Sequence, residues 1–173
     1  MSKIQTQRLS IIPFHEGFLT QEYVSWLNDP EVARYSEQRH FQHTLASCKH
    51  YFHKMKSENN LFFGITLRNK SEEHIGNITV SINKPNLVSD ISILIGAKNY
   101  WGNGYGTEAW KAVMDHLMRE KNMRKITAGT MSVNTAMLRI FKRSGMEIEG
   151  EKNAQFLWEQ EIVDEIFVAK FPE

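Results

Sequence analysis

The sequence has little of what a disulfide-linked or membrane-spanning protein needs. Its 173 residues include a single cysteine, Cys48, so no disulfide can form within the chain. A thiolate nucleophile at Cys48 would need an activating partner, and the sequence offers no candidate. No apolar run approaches the ~20 residues of a membrane helix, and residues 1–6 are polar rather than signal-like. We therefore expect a soluble cytoplasmic protein without a membrane partner, with Cys48 on the buried face of a helix.

An excess of charge of either sign is also lacking. Lysine and arginine total 21 against 20 acidic residues, so the net charge of +1 gives no reason to expect a nucleic-acid partner. His50 and His53 have the spacing of a metal-binding pair, but no second pair accompanies them and we expect no metal. Repeats, low-complexity tracts and linkers are missing as well. With 41% hydrophobic residues, the chain fits one domain over residues 1–173.

The hydrophobic patterns that are present predict a mixed α/β fold. Strands are expected at 8–14, 61–67, 75–82, 88–95, 125–132, 146–155 and 162–169. Helices are expected at 18–27, from 28 onward, at 44–57, after the glycines at 102–106 and after Asn134. The second helix is expected because residues 28–31 read as an N-cap followed by proline and an acid. The prediction is a mostly antiparallel sheet of about seven strands flanked by about five helices.

The segment from Trp101 to Gly106 carries the strongest functional signal. Gly102, Gly104 and Gly106 follow a strand and lead directly into a helical pattern. Glycine permits positive φ, and the first N–H groups of a helix lack partners, so this corner favours a phosphate. The G-x-G-x-G spacing fits neither a dinucleotide fingerprint nor a triphosphatase loop, since no lysine follows Gly106. A turn that merely starts a helix remains the structural alternative.

Two motifs carry a family resemblance. Gly104-Tyr105-Gly106 matches the pattern R/Q-x-x-G-x-G/A, and residues 134–146 match N-x-x-A/S/M-x-x-x-Y/F-x-x-x-G-F/M. The chain thus resembles the GNAT superfamily of acetyl-CoA-dependent N-acetyltransferases. Trp101 replaces the usual Arg or Gln, and this replacement is similar to that in the branch of ribosomal-protein N-terminal (alanine/serine) acetyltransferases. Residues 26–32 also resemble that branch.

This resemblance implies a single GNAT-like domain whose sheet splays at a cofactor slot, with acetyl-CoA as acetyl donor. The coenzyme pyrophosphate would meet the glycine loop, and the pantetheine amides would pair with a strand edge. The expected cofactor-binding residues are Ile93, Leu94, Ile95, Trp101, Gly102, Asn103, Gly104, Tyr105, Gly106, Thr107, Asn134 and Phe141. Asn134 is equally well explained as a helix N-cap.

Acyl transfer to an amine needs a proton acceptor and a stabilised oxyanion. The resemblance implies a carboxylate on the strand before the loop, and Asp90 is the nearest match, so Asp90 is the expected catalytic base. A polar residue at the start of a strand is the alternative reading of Asp90. A backbone N–H near Leu94 or Ile95 would stabilise the oxyanion.

The general acid is unassigned by the sequence. The family's usual tyrosine and serine positions hold Phe141 and Met137 here. Tyr105, Thr107 and Ser132 are the remaining candidates, and solvent can suffice because a thiol of pKa ~8.5 leaves easily.

The acceptor side is expected around residues 26–39. Trp26, Tyr35 and Glu37 are the expected substrate residues, with core packing and a solvated charge as alternatives. The expected function is acetyl transfer by direct attack of a primary amine, on a protein N-terminus or on a small molecule such as a nucleotide-linked amino sugar. The alternative is a non-catalytic acyl-CoA-binding or regulatory module. A homodimer is one possible assembly.

Overall fold

Eight strands form one mixed sheet in residues 3–69 and 72–172, the part of the chain that this computed structural model describes. The strands are β1 (Ile4–Gln5), β2 (Leu9–Pro13), β3 (Leu61–Leu67), β4 (His74–Asn83), β5 (Val88–Ile95), β6 (Lys125–Met131), β7 (Glu147–Trp158) and β8 (Glu161–Lys170). The helices are α1 (Gln21–Asn28), α2 (Leu45–Ser57), α3 (Tyr105–Arg119) and α4 (Thr135–Arg143), with 3-10 turns at Glu16–Phe18, Glu37–His40 and Lys98–Tyr100. The strand order is β1-β2-β3-β4-β5-β6-β8-β7.

The predicted α/β class and mostly antiparallel sheet are confirmed. The sheet has eight strands rather than about seven because β1, which pairs Ile4 with Ile11, is too short to leave a hydrophobic pattern. The helix predicted from residue 28 is wrong, since α1 ends at Asn28 and turns follow. Asp29 does accept hydrogen bonds from the N–H groups of Glu31 and Val32, at 2.9 and 3.3 Å. These bonds close a turn and not a helix, because the segment lacks a continuous apolar face.

Helices cover both faces of the sheet. Trp110 and Leu117 of α3 are fully buried in one cluster together with Phe63. The next residue along β3, Phe62, belongs to a second cluster with residues of α1 and α2, including Cys48. Because side chains alternate along a strand, the two clusters lie on opposite faces. Cys48 is 3% exposed on α2, as predicted. No helix in the described residues is long and apolar enough to cross a membrane.

The sheet splits between β5 and β6, its only parallel neighbours in the described residues. Their pairing is limited to Val88↔Lys125, Ser89↔Ile126 and Asp90↔Thr127. Both strands nevertheless continue, to Ile95 and to Met131. We call the resulting gap, between residues 91–95 and residues 128–131, the wedge. The splay that the resemblance implied is therefore present, and it opens toward the glycine loop.

Candidate functional site

The β5 edge of the wedge offers free backbone groups. The carbonyl of Leu94 faces Gly76 of β4. Because the polar groups of successive residues point to opposite edges of a strand, those of Ile93 and Ile95 point into the wedge. The Trp101 indole Nε1 donates to the Ile95 carbonyl at 2.8 Å. The edge left for a ligand is thus the Ile93 backbone and the Ile95 N–H, while Leu94 can contribute only its side chain.

The glycine loop has the open backbone that an anion requires. Gly102 and Gly104 have φ of +75° and +80°, a region that favours glycine. Gly104 is the N-cap residue of α3 and supplies no side-chain cap, so the first N–H groups of that helix stay available. A Cβ on Gly102 would have no neighbour within 4 Å. The loop therefore fits a phosphate group at the helix start.

Gly106 lies where α3 packs against α4 and β5. A Cβ there would lie 3.2 Å from Cδ1 of Ile140 and 3.7 Å from Cγ1 of Ile95. The absence of a side chain at Gly106 therefore lets α3 approach α4 and β5 closely.

The other expected residues of the loop mainly hold its shape. Trp101 is 38% exposed and its indole N–H donates to β5, so it offers a ligand neither the charge of an arginine nor the amide of a glutamine. Asn103 Nδ2 donates to the Trp101 carbonyl at 3.2 Å. The Tyr105 ring lies under the Arg8 guanidinium, 4.2 Å from its centroid, and Thr107 is half-buried in the first turn of α3.

Asn134 and Phe141 both make contacts within the protein at the wedge. Asn134 is the N-cap of α4: its Oδ1 accepts from the Met137 N–H at 3.1 Å, and its Nδ2 donates to Thr130 Oγ1 at 3.0 Å. Phe141 is only 2% exposed and packs against Trp110, with ring centroids 5.6 Å apart. Phe141 therefore supports the wedge from within the core and has no surface to offer a cofactor, which corrects its expected role.

Asp90 lies where the wedge begins. Ile91 is buried in the α3 cluster, so the alternation of β5 turns Asp90 toward the face of α1 and α2. The Thr127 hydroxyl donates to Asp90 Oδ2 at 2.8 Å. Although the carboxylate reaches solvent, the surrounding sheet restricts its hydration and raises the pKa of Asp90 above its ordinary value. The Thr127 hydrogen bond opposes this rise in pKa, and the negative charge of Glu165 adds to it.

Glu165 supplies a second carboxylate on the same face. It lies on β8 opposite Met131. Its Oε1 would be 3.1 Å from a Cβ on Gly129, so the missing side chain of Gly129 lets Glu165 lie across β6. Lys152 Nζ lies 3.7 Å from Glu165 Oε2, which is long for an ion pair, and the Lys152 side chain is exposed. Two carboxylates so placed can attract an ammonium group and accept a proton.

Residues 29–42, here called the strap, cross the mouth of the wedge. On the β5 side, Lys98 Nζ lies 2.7 Å from Asp29 Oδ2 and 2.9 Å from Glu31 Oε2. On the β8 side, Arg34 pairs with Glu159 at 3.1 Å. Because β5 and the β7–β8 hairpin flank the wedge, a segment fixed to both must span it.

Aromatic packing strengthens the hairpin end of the strap. Tyr35 stacks on Trp158 with ring centroids 5.5 Å apart, and Trp158 Nε1 donates to the Arg34 carbonyl at 3.1 Å. A cavity of about 380 Å³ lies between the strap and the hairpin, with Phe41 among its lining residues. Phe41 is 64% exposed, so the cavity has an apolar, open side.

The three expected acceptor residues have different environments. Trp26 is 7% exposed and packs against Gly96 and His74, so it shapes the wall from inside the core. Tyr35 is half-buried in its stack with Trp158. Glu37 is exposed, and its Oε1 accepts from Arg39 Nη1 at 2.7 Å. Of the three, Tyr35 lies nearest the cavity in the chain of contacts, because its stacking partner Trp158 lines that cavity.

Four contributors to the site were missed by the sequence reasoning: Arg8, Glu108, Thr127 and Glu165. Each acts through a partner far away in the chain, and no local spacing links them. Arg8 and Glu108, for example, are 100 residues apart. Only the strand order brings such pairs together. No group of three or more metal-ligating side chains occurs in the described residues.

Comparison with known proteins agrees with this geometry. The model of the family described as "Acetyltransferase (GNAT) domain" matches residues 8–147. An uncharacterized N-acetyltransferase of Bacillus subtilis, YnaD, is 29% identical over 149 residues, 85% of this chain and 84% of the relative.

Solved structures share the fold at low sequence identity. A ribosomal-protein-S5-alanine acetyltransferase from Vibrio fischeri has a TM-score of 0.82 and 17% identity, covering 99% of this chain and 97% of the other. A spermidine N-acetyltransferase from Vibrio cholerae, solved with CoA and spermine, has a TM-score of 0.85 and 16% identity, covering 96% of each chain. The family match over most of the sequence, together with the wedge and its glycine loop, leads to one conclusion: the chain belongs to the GNAT family and is an N-acetyltransferase.

Proposed function

We propose that the protein transfers an acetyl group from acetyl-CoA to a primary amine by direct attack within the wedge. The observation that carries the proposal is the end of β5–β6 pairing at Asp90↔Thr127, which leaves a slot with a carboxylate where it begins. The donor enters from the glycine-loop side, and its thioester supplies the activated acetyl group. Acetyl-CoA is the donor typical of the family.

The backbone of the β5 edge serves the donor. The Ile93 N–H and C=O and the Ile95 N–H lie along the wedge, where they can pair with an extended chain of amides. One of these N–H groups can also donate to the thioester carbonyl oxygen as negative charge develops on it, and such a fixed donor stabilises an oxyanion without reorganisation. Leu94 is not a candidate for this role, because its backbone faces β4.

Asp90 is the proposed proton acceptor. An α-amino group of pKa about 8 loses its proton at little cost near neutral pH, whereas an amine of pKa about 10.4 costs roughly 4 kcal/mol. The raised pKa of Asp90 brings this carboxyl closer to the range in which a base works well. Direct attack also needs no enzyme nucleophile, and the only cysteine is 3% exposed.

The acceptor is proposed to enter beneath the strap on the face of Asp90 and Glu165. These carboxylates attract an ammonium group, and the Tyr35–Trp158 stack with its neighbouring cavity leaves room for the remainder of the molecule. The two acceptor classes are a protein N-terminus and a small amine such as a nucleotide-linked amino sugar. Among the structural relatives, one is named for a ribosomal protein and one for spermidine.

An acceptor screen tests the proposal. The protein is mixed with acetyl-CoA and, separately, with N-terminal peptides, aminosugar nucleotides, polyamines and aminoglycosides, and thiol release is followed. We expect release above the background hydrolysis rate with one class, and an N-acetylated product by mass spectrometry. If acetyl-CoA binds but none of these amines is acetylated, transfer to these acceptors is contradicted. Failure to bind acetyl-CoA would overturn the donor site itself.

A further inference from the structure

Arg8, the residue immediately before β2, reaches the glycine loop directly. Although 95 residues separate them in sequence, Arg8 Nη1 donates to the Asn103 carbonyl at 2.9 Å. The guanidinium also lies over the Tyr105 ring, 4.2 Å from the centroid. Arg8 Nη2 is 3.6 Å from the place where a Cβ on Gly104 would stand. One side chain thus contacts Asn103 and Tyr105 and lies beside the open side of Gly104.

Glu108, in the first turn of α3, completes the arrangement. Its Oε2 accepts from Arg8 Nε at 2.6 Å and lies 2.6 Å from Nη2, so one carboxylate oxygen is shared by two guanidinium nitrogens in a charge-assisted contact. Its Oε1 accepts from the Arg8 backbone N–H at 2.9 Å and from Thr6 Oγ1 at 2.6 Å. Partial burial alone would raise the pKa of Glu108, but the Thr6 and Arg8 hydrogen bonds hold that pKa below its ordinary value.

The loop needs such an external support. Gly104 gives α3 no side-chain cap and has a left-handed backbone, which an unliganded glycine-rich loop loses easily. The Trp101 indole fixes only the beginning of the loop, through the Ile95 carbonyl. Arg8 and Glu108 fix the end of the loop. Because the Glu108 carboxylate neutralises the charge of Arg8, the pair acts chiefly by holding the loop in position.

We propose that Arg8 and Glu108 form a positioning pair that presets the glycine loop for the pyrophosphate of coenzyme A. The inference rests on the proposed donor site and adds residues outside the loop motif. A preset loop loses less conformational freedom when its ligand binds, so the pair should act on donor affinity and not on the chemical step.

Binding of coenzyme A to Arg8→Met and Glu108→Gln tests the pair. By calorimetry, we expect each variant to raise the Kd by about 10-fold, since hydrogen bonds to charged groups are lost. The double variant should be little weaker than either single one, because the two residues act as a unit. Arg8→Lys should restore little, as lysine lacks the planar fork. Arg124→Met is the matched control, because Arg124 contacts a loop carbonyl, that of Asn86, at the far end of β5.

Two further readouts separate positioning from other roles. In the unliganded Arg8→Met variant, the amides of residues 103–106 should exchange with solvent faster than in the wild type. In steady-state assays, the KM for acetyl-CoA should rise while kcat stays within about twofold. An unchanged Kd in both variants, or a loss of kcat at unchanged KM, would overturn the inference while leaving the donor site intact. If Arg8→Met does not fold, Glu108→Gln and Tyr105→Leu carry the same comparison. A wild type that binds no coenzyme A would overturn the proposed function, and this inference with it.

Discussion

The two sides of the wedge present different chemical groups, backbone on one side and side chains on the other. The proposed donor side consists of backbone: an unpaired edge of β5, two glycines with positive φ and the uncapped start of α3. The proposed acceptor side consists of side chains: Asp90 and Glu165 on the sheet, with the strap above them. Backbone groups are present whatever the side chains are, whereas side chains change with sequence. Under the proposal, donor recognition therefore depends little on side-chain identity and acceptor recognition depends on it directly.

The largest expected effect is a loss of catalysis that leaves donor binding unchanged. Replacing Asp90 by Asn removes the proton acceptor, and we expect kcat/KM to fall by about 100-fold or more, in the range of general-base catalysis. The Kd for coenzyme A should not change, because the donor side is made of backbone groups elsewhere. Asp115→Asn, on the exposed side of α3, is the control. Unchanged kcat/KM on the true acceptor would remove Asp90 from the chemistry.

The next effect falls on the donor side. Valine at Gly104 must adopt φ near +80°, which costs about 1–3 kcal/mol for a side-chain-bearing residue. The loop will therefore leave its binding shape, and we expect the Kd for coenzyme A to rise about tenfold or more. Gly150→Ala is the matched control, since no atom lies within 4 Å of its added Cβ and its φ is not left-handed. Equal affinities of the two variants would show that the loop conformation is unimportant.

The pH dependence of kcat/KM tests the acceptor side with two variants that should move the pKa of Asp90 in opposite directions. Activity needs ionised Asp90, so kcat/KM should fall as the pH drops through its raised pKa. Glu165→Gln removes a charge that raises this pKa and should shift the acid limb to lower pH. Thr127→Val removes a hydrogen bond that lowers the pKa and should shift the limb to higher pH. Shifts in the same direction would mean that the limb reports another group.

The smallest effect concerns the strap. Arg34→Gln removes an exposed ion pair with Glu159, and solvent and salt screen such pairs strongly. We expect the KM for the amine to rise by up to about fivefold, because the loosened strap positions the acceptor less well. The KM for acetyl-CoA should stay constant. Lys54→Gln, which loosens a comparable surface pair on α2, should change neither constant.

The sequence was most informative where function depends on backbone. The spacing of Gly102, Gly104 and Gly106 and the cap at Asn134 predicted the glycine loop before α3 and the start of α4, because glycine and N-cap residues report local conformation. Alternating hydrophobic residues likewise predicted most strands to within a few positions. All of these are short-range signals, which one sequence can carry.

Sequence was least informative where contacts join distant segments. The proline turn after α1 looked like a helix start, because Asp29 caps a turn with the same hydrogen bonds that cap a helix. Phe141 matched a cofactor position by motif, but only packing against Trp110 reveals that it is buried. Glu165 approaches Asp90 solely because β8 is inserted between β6 and β7. Such placements follow from topology, which local patterns do not specify.

Amide hydrogen exchange along β5 is the most direct test of the wedge as the donor slot. Exchange at Ile93, Leu94 and Ile95 is measured by NMR before and after saturating coenzyme A is added. The Ile93 and Ile95 amides face the wedge and should exchange markedly more slowly in the complex, whereas the Leu94 amide faces β4 and should change little. No added protection at Ile93 and Ile95, or equal protection at all three, would contradict binding of the donor along this edge.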